Sequence, residues 1–341
     1  MQPILNAITQ KSHWKSTVHF VEYSKKKEGD SFGYCLALPQ YSQLDDGKSD
    51  EVWLMFADSE AIPTIADDSM WKLPFMTYKK HITKQVHTGI LGISEEYYLN
   101  NYGFRDWDII LPKPKGTYRI LCIGASTTEE GTRNELTYPA VLETKINHFF
   151  KDNFVDVINC GISGMNSMKH RMRFPDYLAL TPNMLVIYNA TNDICHQLLP
   201  RLVAEATPHQ IRLRRSRFIT EYCNNFLLPS DPAIRDAIKK HIMPNLRCIL
   251  QESTKRGIKT ALCSFAAPDP QKLSTEEYKY YNYLTMKEWG GSFVTFDSYL
   301  RILSIYNEEL KKLCEAEGGL YIPVAEKLQG GAELFGDICH L

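Results

Sequence analysis

The chain of 341 residues has no apolar run of the eighteen or so residues that a membrane helix needs, so no integral span is expected. It has almost no charge excess: 39 Lys and Arg stand against 40 Asp and Glu, for a formal net charge of −1. That balance offers no basic face for nucleic acid and no reason to bind an anionic membrane. The start, Met1-Gln-Pro-Ile-Leu-Asn-Ala, lacks a basic segment followed by an apolar one, so no export signal is visible and a cytoplasmic location is expected. The nine cysteines include no Cys-x-x-Cys pair, and no Cys/His set has zinc-finger spacing. Cys122, Cys160, Cys248, Cys263 and Cys314 fall inside predicted strands or helices, the pattern of buried reduced thiols. Neither Gly-x-x-x-x-Gly-Lys nor Gly-x-Gly-x-x-Gly occurs, and there are no internal repeats or low-complexity tracts. No metal and no cofactor is implied.

What is present is a chain that is 44% hydrophobic, enough for a full core. Residues 1–95 are irregular, with short strand-like runs at Ser16–Tyr23 and Glu51–Ala57 between polar, turn-rich stretches. They read as a small β-rich accessory region. Residues 96–117, punctuated by Gly103, Pro112, Pro114 and Gly116, read as a linker. From 118 to 341 apolar strands alternate with helices. Strands are expected at Tyr118–Ile123, Val155–Asn159, Met184–Tyr188, Ile258–Ala266 and Leu320–Val324. Helices are expected from Tyr138 (with Leu142, Ile146 and Phe149 on one face), near Met168–Leu180, and over Asp297–Glu317. A further helix is expected from an Asp231 N-cap to Gly257, kinked at Pro244. This alternation predicts an α/β fold of three layers, a parallel sheet with helices on both faces. In such sheets the working loops lie at the carboxyl ends of the strands.

Three such strand ends carry chemistry. The strand Arg119-Ile-Leu-Cys-Ile-Gly124 runs into Ala125-Ser126, Ile158-Asn-Cys160 opens into Gly161-Ile-Ser-Gly164, and Val186-Ile-Tyr188 closes on Asn192. Far downstream, Asp337-Ile-Cys-His340 sets a carboxylate and an imidazole three residues apart. Serine needs a neighbouring base to become a nucleophile. His340 is the candidate base and Asp337 its orienting acid, in the chain order Ser…Asp…His. The backbone N–H groups of Ser126 and Gly164 and the amide of Asn192 are candidate oxyanion donors. The tetrapeptide Asp193-Ile-Cys-His196 repeats the downstream one, so His196 is a second candidate base. His340 is favoured, with His196 at a pocket wall or helix start.

In these four ordered blocks the chain resembles the SGNH, or GDSL-type, hydrolases, over residues 118–341. The resemblance implies an SGNH/flavodoxin-like sheet and a serine ester hydrolase working through an acyl-serine intermediate. Its substrate would be a small ester or an acylated sugar. Asn100-x-x-Gly103-Phe-Arg105 is also similar to a segment that precedes the catalytic domain in bacterial members. Ala125 stands where many members have Asp, and Ala190 where many have Gly. Members usually continue into a final helix behind the histidine loop, which implies here either a shortened chain or a weakly anchored His340.

Two readings compete with hydrolysis. An O-acyltransferase acting on a carbohydrate hydroxyl would use the same triad. A flavodoxin-like module would cradle phosphate at Gly124–Thr128, although Glu129 and Glu130 would repel it. Two insertions are expected to shape the site. Residues 197–229 bring Arg201, Arg212, Arg214, Arg215 and Arg217, either as a cationic lid or as a solvated helix face. Residues 268–295 bring Tyr278, Tyr280, Tyr281, Tyr283 and Trp289, either as a ligand wall or as cover for the core edge.

Overall fold

The computed structural model describes residues 20–22, 34–37, 53–56, 81–87, 94–150, 154–204, 228–288 and 294–341. Arg212, Arg214, Arg215, Arg217 and Trp289 lie outside the described residues, as do the polar stretches between the first strands.

Strands β1 (Phe20–Glu22), β2 (Tyr34–Ala37) and β3 (Trp53–Phe56) pair antiparallel in that order. Strands β4 (Ile82–His87) and β5 (Ser94–Leu99) form an antiparallel hairpin that runs across the expected boundary at residue 95. The segment expected as a linker is bonded to the sheet that follows it. Asn100 folds it into a turn by accepting the N–H groups of Tyr102 and Phe104, and Asp106 Oδ2 accepts Asn159 N at 2.8 Å.

The main sheet has five strands, all parallel: β6 (Tyr118–Gly124), β7 (Val155–Gly161), β8 (Met184–Tyr188), β9 (Lys259–Cys263) and β10 (Leu320–Ile322). They lie in the order β10-β9-β8-β6-β7. In β6 to β9 most apolar residues are buried from both sides, as continuous rather than alternating runs imply, while the edge strand β10 leaves Leu320 half exposed. The chain leaves β6 for β7 on one side, then crosses back to β8 on the other. That reversal is the switch point at which doubly wound sheets open a crevice. Helix Tyr138–Phe149 packs on β7, while helix Met243–Lys255 packs on β9 and against both Ser167–Met172 and Phe296–Glu317; with the right-handed crossovers that parallel sheets favour, these three share the face opposite the first.

Several local expectations are corrected. Phe149 does not share the buried face of Leu142 and Ile146. It ends its helix 78% exposed and meets Phe150 edge-to-face. The long helix expected from Asp231 is two helices, Asp231–His241 and Met243–Lys255, broken at Ile242. Pro244 occupies the first turn of the second helix, where its missing N–H costs nothing. Ser230, not Asp231, is the N-cap of the first. The stretch 168–180 is likewise two short helices, Ser167–Met172 and Phe174–Ala179. Arg119 sits in the apolar strand β6 and is only 1% exposed. It holds Asp156 at 2.7 Å, Leu180 O at 2.8 Å and Ile110 O at 3.0 Å, so the buried charge is paired and its donors are used. Among the described residues, no helix is long and apolar enough to cross a membrane.

Candidate active site

The three loops at the carboxyl ends of β7, β6 and β8 are neighbours because those strands are. Ser126 opens the four-residue helix Ser126–Glu129 immediately after β6. Its Oγ lies 2.7 Å from Nε2 of His340. The other nitrogen of that ring, Nδ1, lies 2.7 Å from Asp337 Oδ2. Three side chains separated by up to 214 positions therefore form one continuous hydrogen-bonded line.

The Asp337 segment is a tight turn rather than a helix. Oδ1 of Asp337 accepts the N–H groups of Cys339 and His340, each at 2.8 Å, while Gly336 N donates to His340 O at 2.8 Å. This is the local side-chain-to-backbone bonding that aspartate favours outside helices. It spends one carboxylate oxygen on shape and leaves the other for the imidazole. The turn is anchored from outside by Tyr281, which is buried and donates its hydroxyl to Phe335 O at 2.6 Å. His340 is thus held by its own turn, by Tyr281 behind it and by Ser126 in front.

Burial alone would raise the pKa of Asp337, but its hydrogen bonds with His340 and Cys339 outweigh this and hold the carboxyl below its ordinary value. Burial would likewise lower His340, and the hydrogen bond that its Nδ1 donates to Asp337 overcomes it, so the imidazole is held above its ordinary value of 6.5. Both shifts have one cause: once the ring takes a proton, the imidazolium and the carboxylate stabilise each other. Glu130 sits beside the pair and accepts Leu341 N at 3.3 Å. Burial pushes its carboxyl up to about 7, against the pull of His340.

The second loop carries Gly164 at φ +74°, in the left-handed region that suits glycine. Among the described residues no protein acceptor takes the N–H of Gly164 or of Ser126. Gly164 O accepts Nζ of Lys169 at 3.1 Å, and burial lowers that ammonium to about 8. Asn192 lies in the single turn Thr191–Asp193 after β8 and gives one amide hydrogen to Met165 O at 2.9 Å. The amide has a second hydrogen. Ala190, where glycine is common, adopts φ −156°, which any residue can reach. His196 is exposed on the π-helical turn Ile194–Leu198, and it is His340 that meets Ser126.

Several supporting residues escaped the sequence reading. Glu129, on the Ser126 helix, accepts Ser163 N through Oε2 at 2.7 Å, and its carbonyl accepts Nη1 of Arg105 at 3.1 Å. A Cβ on Gly161 would lie 2.4 Å from Glu129 N, so only glycine lets the two loops approach this closely. Asp193 is fully buried. It accepts Ser167 N at 2.9 Å, Ser167 Oγ at 2.5 Å and Asn189 Nδ2 at 2.6 Å, together with Gln197. It ties the ends of β7 and β8 together. Asn189, Asp193 and Gln197 are four apart, a spacing visible in the sequence; the Glu129–Ser163 contact leaves no comparable trace. Of the aromatic insertion, Tyr281 covers the core edge while Tyr280 and Tyr283 are exposed.

No protein-family model matches the chain, and no curated protein matches it. Solved structures do. An alpha/beta hydrolase enzyme from the metagenome of Lake Arreo is 15% identical, with a TM-score of 0.40, over 65% of this chain and 87% of that one. An SGNH-hydrolase family esterase is 18% identical, TM-score 0.36, over 63% and 83%. A variant of an acetyl xylan esterase from Geobacillus stearothermophilus is 15% identical, TM-score 0.36, over 61% and 77%. Other similar structures are described as GDSL-like lipases from Bacteroides thetaiotaomicron and Parabacteroides merdae. At such identities what the neighbours act on does not transfer to this chain.

Proposed function

We propose that the chain is a serine ester hydrolase that works through an acyl-Ser126 intermediate. The observation that carries this reading is the line Ser126 Oγ, His340 Nε2, His340 Nδ1, Asp337 Oδ2, with 2.7 Å at each hydrogen bond. With Nδ1 donating to Asp337, Nε2 carries a lone pair facing the serine hydroxyl. As Oγ attacks the ester carbonyl, Nε2 takes its proton, and Asp337 stabilises the imidazolium that results. His340 then gives that proton to the leaving alcohol. Water repeats the sequence on the acyl-serine and releases the acid.

The carbonyl oxygen gains negative charge during both attacks. In our reading it is met by the N–H of Ser126, the N–H of Gly164 and the second amide hydrogen of Asn192. Glu129, Gly161 and Asp193 act as positioning residues, holding the three donor-bearing loops at fixed separation. The substrate is a small ester, and removal of an acyl group from a carbohydrate falls within the same chemistry. No feature of the described residues favours transfer to a sugar hydroxyl over transfer to water. Hydrolysis of p-nitrophenyl acetate by the wild type, compared with Ser126→Ala, tests the reading. A loss on the order of 10³-fold or more is expected, and a mutant turning over at the wild-type rate would overturn it.

A further inference from the structure

Cys339 stands inside the triad segment, between the acid and the base, and hydrolysis as proposed has no use for it. It is 6% exposed. Its sulfur lies 3.6 Å from His340 Nδ1, and Thr191 is its other partner. One ligand atom each from Asp337, Cys339 and His340 falls within 4.8 Å of the others, a grouping no other His, Cys, Asp or Glu residues make among the described residues.

Tetrahedral zinc holds sulfur at about 2.3 Å and imidazole nitrogen at about 2.0–2.1 Å, which sets those two ligands about 3.6 Å apart. The Sγ···Nδ1 separation already has that value. Asp337 Oδ2, now 2.7 Å from Nδ1, would need to draw back to about 3.3 Å. The hydrogen between them would be gone, and Oδ1, bonded to two backbone N–H groups, fixes the turn while the carboxylate rotates. The side chains of Asp337 and His340 are each 35% exposed, so an ion can arrive from solvent on their side. The repeated tetrapeptide at Asp193–His196 does not reproduce this. There the carboxylate is buried among Ser167, Asn189 and Gln197, and the histidine points outward.

We propose that Asp337, Cys339 and His340 form an inhibitory site for zinc or a similar borderline-soft divalent cation, with water in the fourth position. The site itself follows from these three side chains; its inhibitory effect rests on the hydrolase reading given above. The ion takes the lone pair of Nδ1 and the thiolate of Cys339. One proton, from the thiol, leaves to solvent. The imidazole is neutral in the complex, with its one proton on Nε2: a neutral ring moves that proton from Nδ1, and a charged ring releases its Nδ1 proton to solvent. Nε2 then donates to Ser126 Oγ and can no longer accept its proton, so the nucleophile is not activated. Metal control of this kind is reversible by a chelator and needs no change in the fold.

The test uses the full chain under reducing conditions, with Co²⁺ as the spectroscopic probe and Zn²⁺ as the inhibitor. Wild type should show a thiolate-to-cobalt charge-transfer band that is missing from Cys339→Ala. The Zn²⁺ concentration for half-inhibition should rise at least about tenfold in that variant, each protein being scaled to its own metal-free rate, since loss of a direct ligand costs at least what loss of an outer partner does. Cys339→Ser serves in the same role should the alanine variant not fold. An unchanged band in these variants, or equal Zn²⁺ sensitivity, or no inhibition of an active wild type by excess Zn²⁺, would overturn the site. Should the wild type hydrolyse no ester at all, the hydrolase reading fails and the cobalt difference spectrum alone decides the site.

Discussion

Asp337→Asn separates the orienting role of the carboxylate from its role in shaping the turn. In the native turn Oδ1 takes two backbone N–H groups at 2.8 Å and Oδ2 takes the imidazole N–H at 2.7 Å. An asparagine keeps the first arrangement, with its carbonyl oxygen on the two backbone donors. Its NH₂ group then faces Nδ1. A donor facing a donor is repulsive, so the imidazole shifts to the tautomer with its proton on Nε2. That nitrogen can no longer receive the proton of Ser126. A wrong tautomer of this kind is worth about 10⁴ in kcat, or about 5 kcal/mol of barrier. At pH values where the imidazole is neutral, stability should change little, because the turn is intact; Asp337→Ala, which loses both backbone bonds, should cost a further ~1–2 kcal/mol.

The pH profile adds a sign. The base works when neutral, and in the native pair His340 is held above 6.5, so kcat/KM should climb as pH rises through a value above 6.5. The stability that the same pair contributes runs the other way: it is complete below 6.5 for as long as Asp337 stays ionised, and it fades as pH rises through the raised value. In Asp337→Asn the residual activity should climb at lower pH than in the wild type. The assay is initial-rate hydrolysis of p-nitrophenyl acetate from pH 5 to 9, with thermal unfolding alongside. Asp337→Asn retaining more than about a tenth of wild-type kcat, with the same pH limb, would refute the reasoning.

Two further substitutions probe the donors. Asn192→Ala should lower kcat on the order of 10²-fold with KM little changed, because an oxyanion donor acts chiefly in the transition state; a risen KM with unchanged kcat would make Asn192 a ground-state binding residue instead. Glu129→Ala frees Ser163 N and should lower kcat about tenfold or more through a misplaced Gly164, while Glu129→Gln, which can still accept that N–H, should recover most of it. Equal rates for the two variants would show that the Glu129 carboxylate does not position the loop.

The sheet and the places where Ser126, Gly164, Asn192 and His340 fall could be read from the sequence, and the physical reason is local. Strands buried on both faces are written as unbroken apolar runs, and functional loops follow their carboxyl ends. What could not be read is the bonding that holds those loops together. Glu129 and Glu130 look like ordinary surface charges after a helix start. Only the fold shows that one meets Ser163 and the other lies half-buried against the histidine turn. Arg119 is a charge within an apolar run, and its partners Asp156, Leu180 and Ile110 are scattered in sequence. Helix ends misled for a different reason. Pro244 signals a break, but a proline in a first turn and one at a kink read alike. Phe149 keeps the helical spacing of the buried face, yet the helix ends there and leaves it nothing to pack against. The twin tetrapeptides show the limit most plainly: Asp193 and Asp337 are both followed by Ile-Cys-His, and tertiary context makes one a structural buttress and the other the partner of an imidazole.

The central claim is that Ser126 is a nucleophile activated by His340, and covalent capture tests it most directly. A fluorophosphonate probe reacts with an activated serine and forms a stable adduct on its oxygen. Peptide mapping by mass spectrometry should place that adduct on Ser126 in the wild type. It should disappear in Ser126→Ala and be strongly slowed in His340→Ala, which keeps the hydroxyl but removes its base. Labelling that survives in Ser126→Ala, or a wild-type protein that the probe leaves untouched while it labels a known serine esterase in the same tube, would contradict the account.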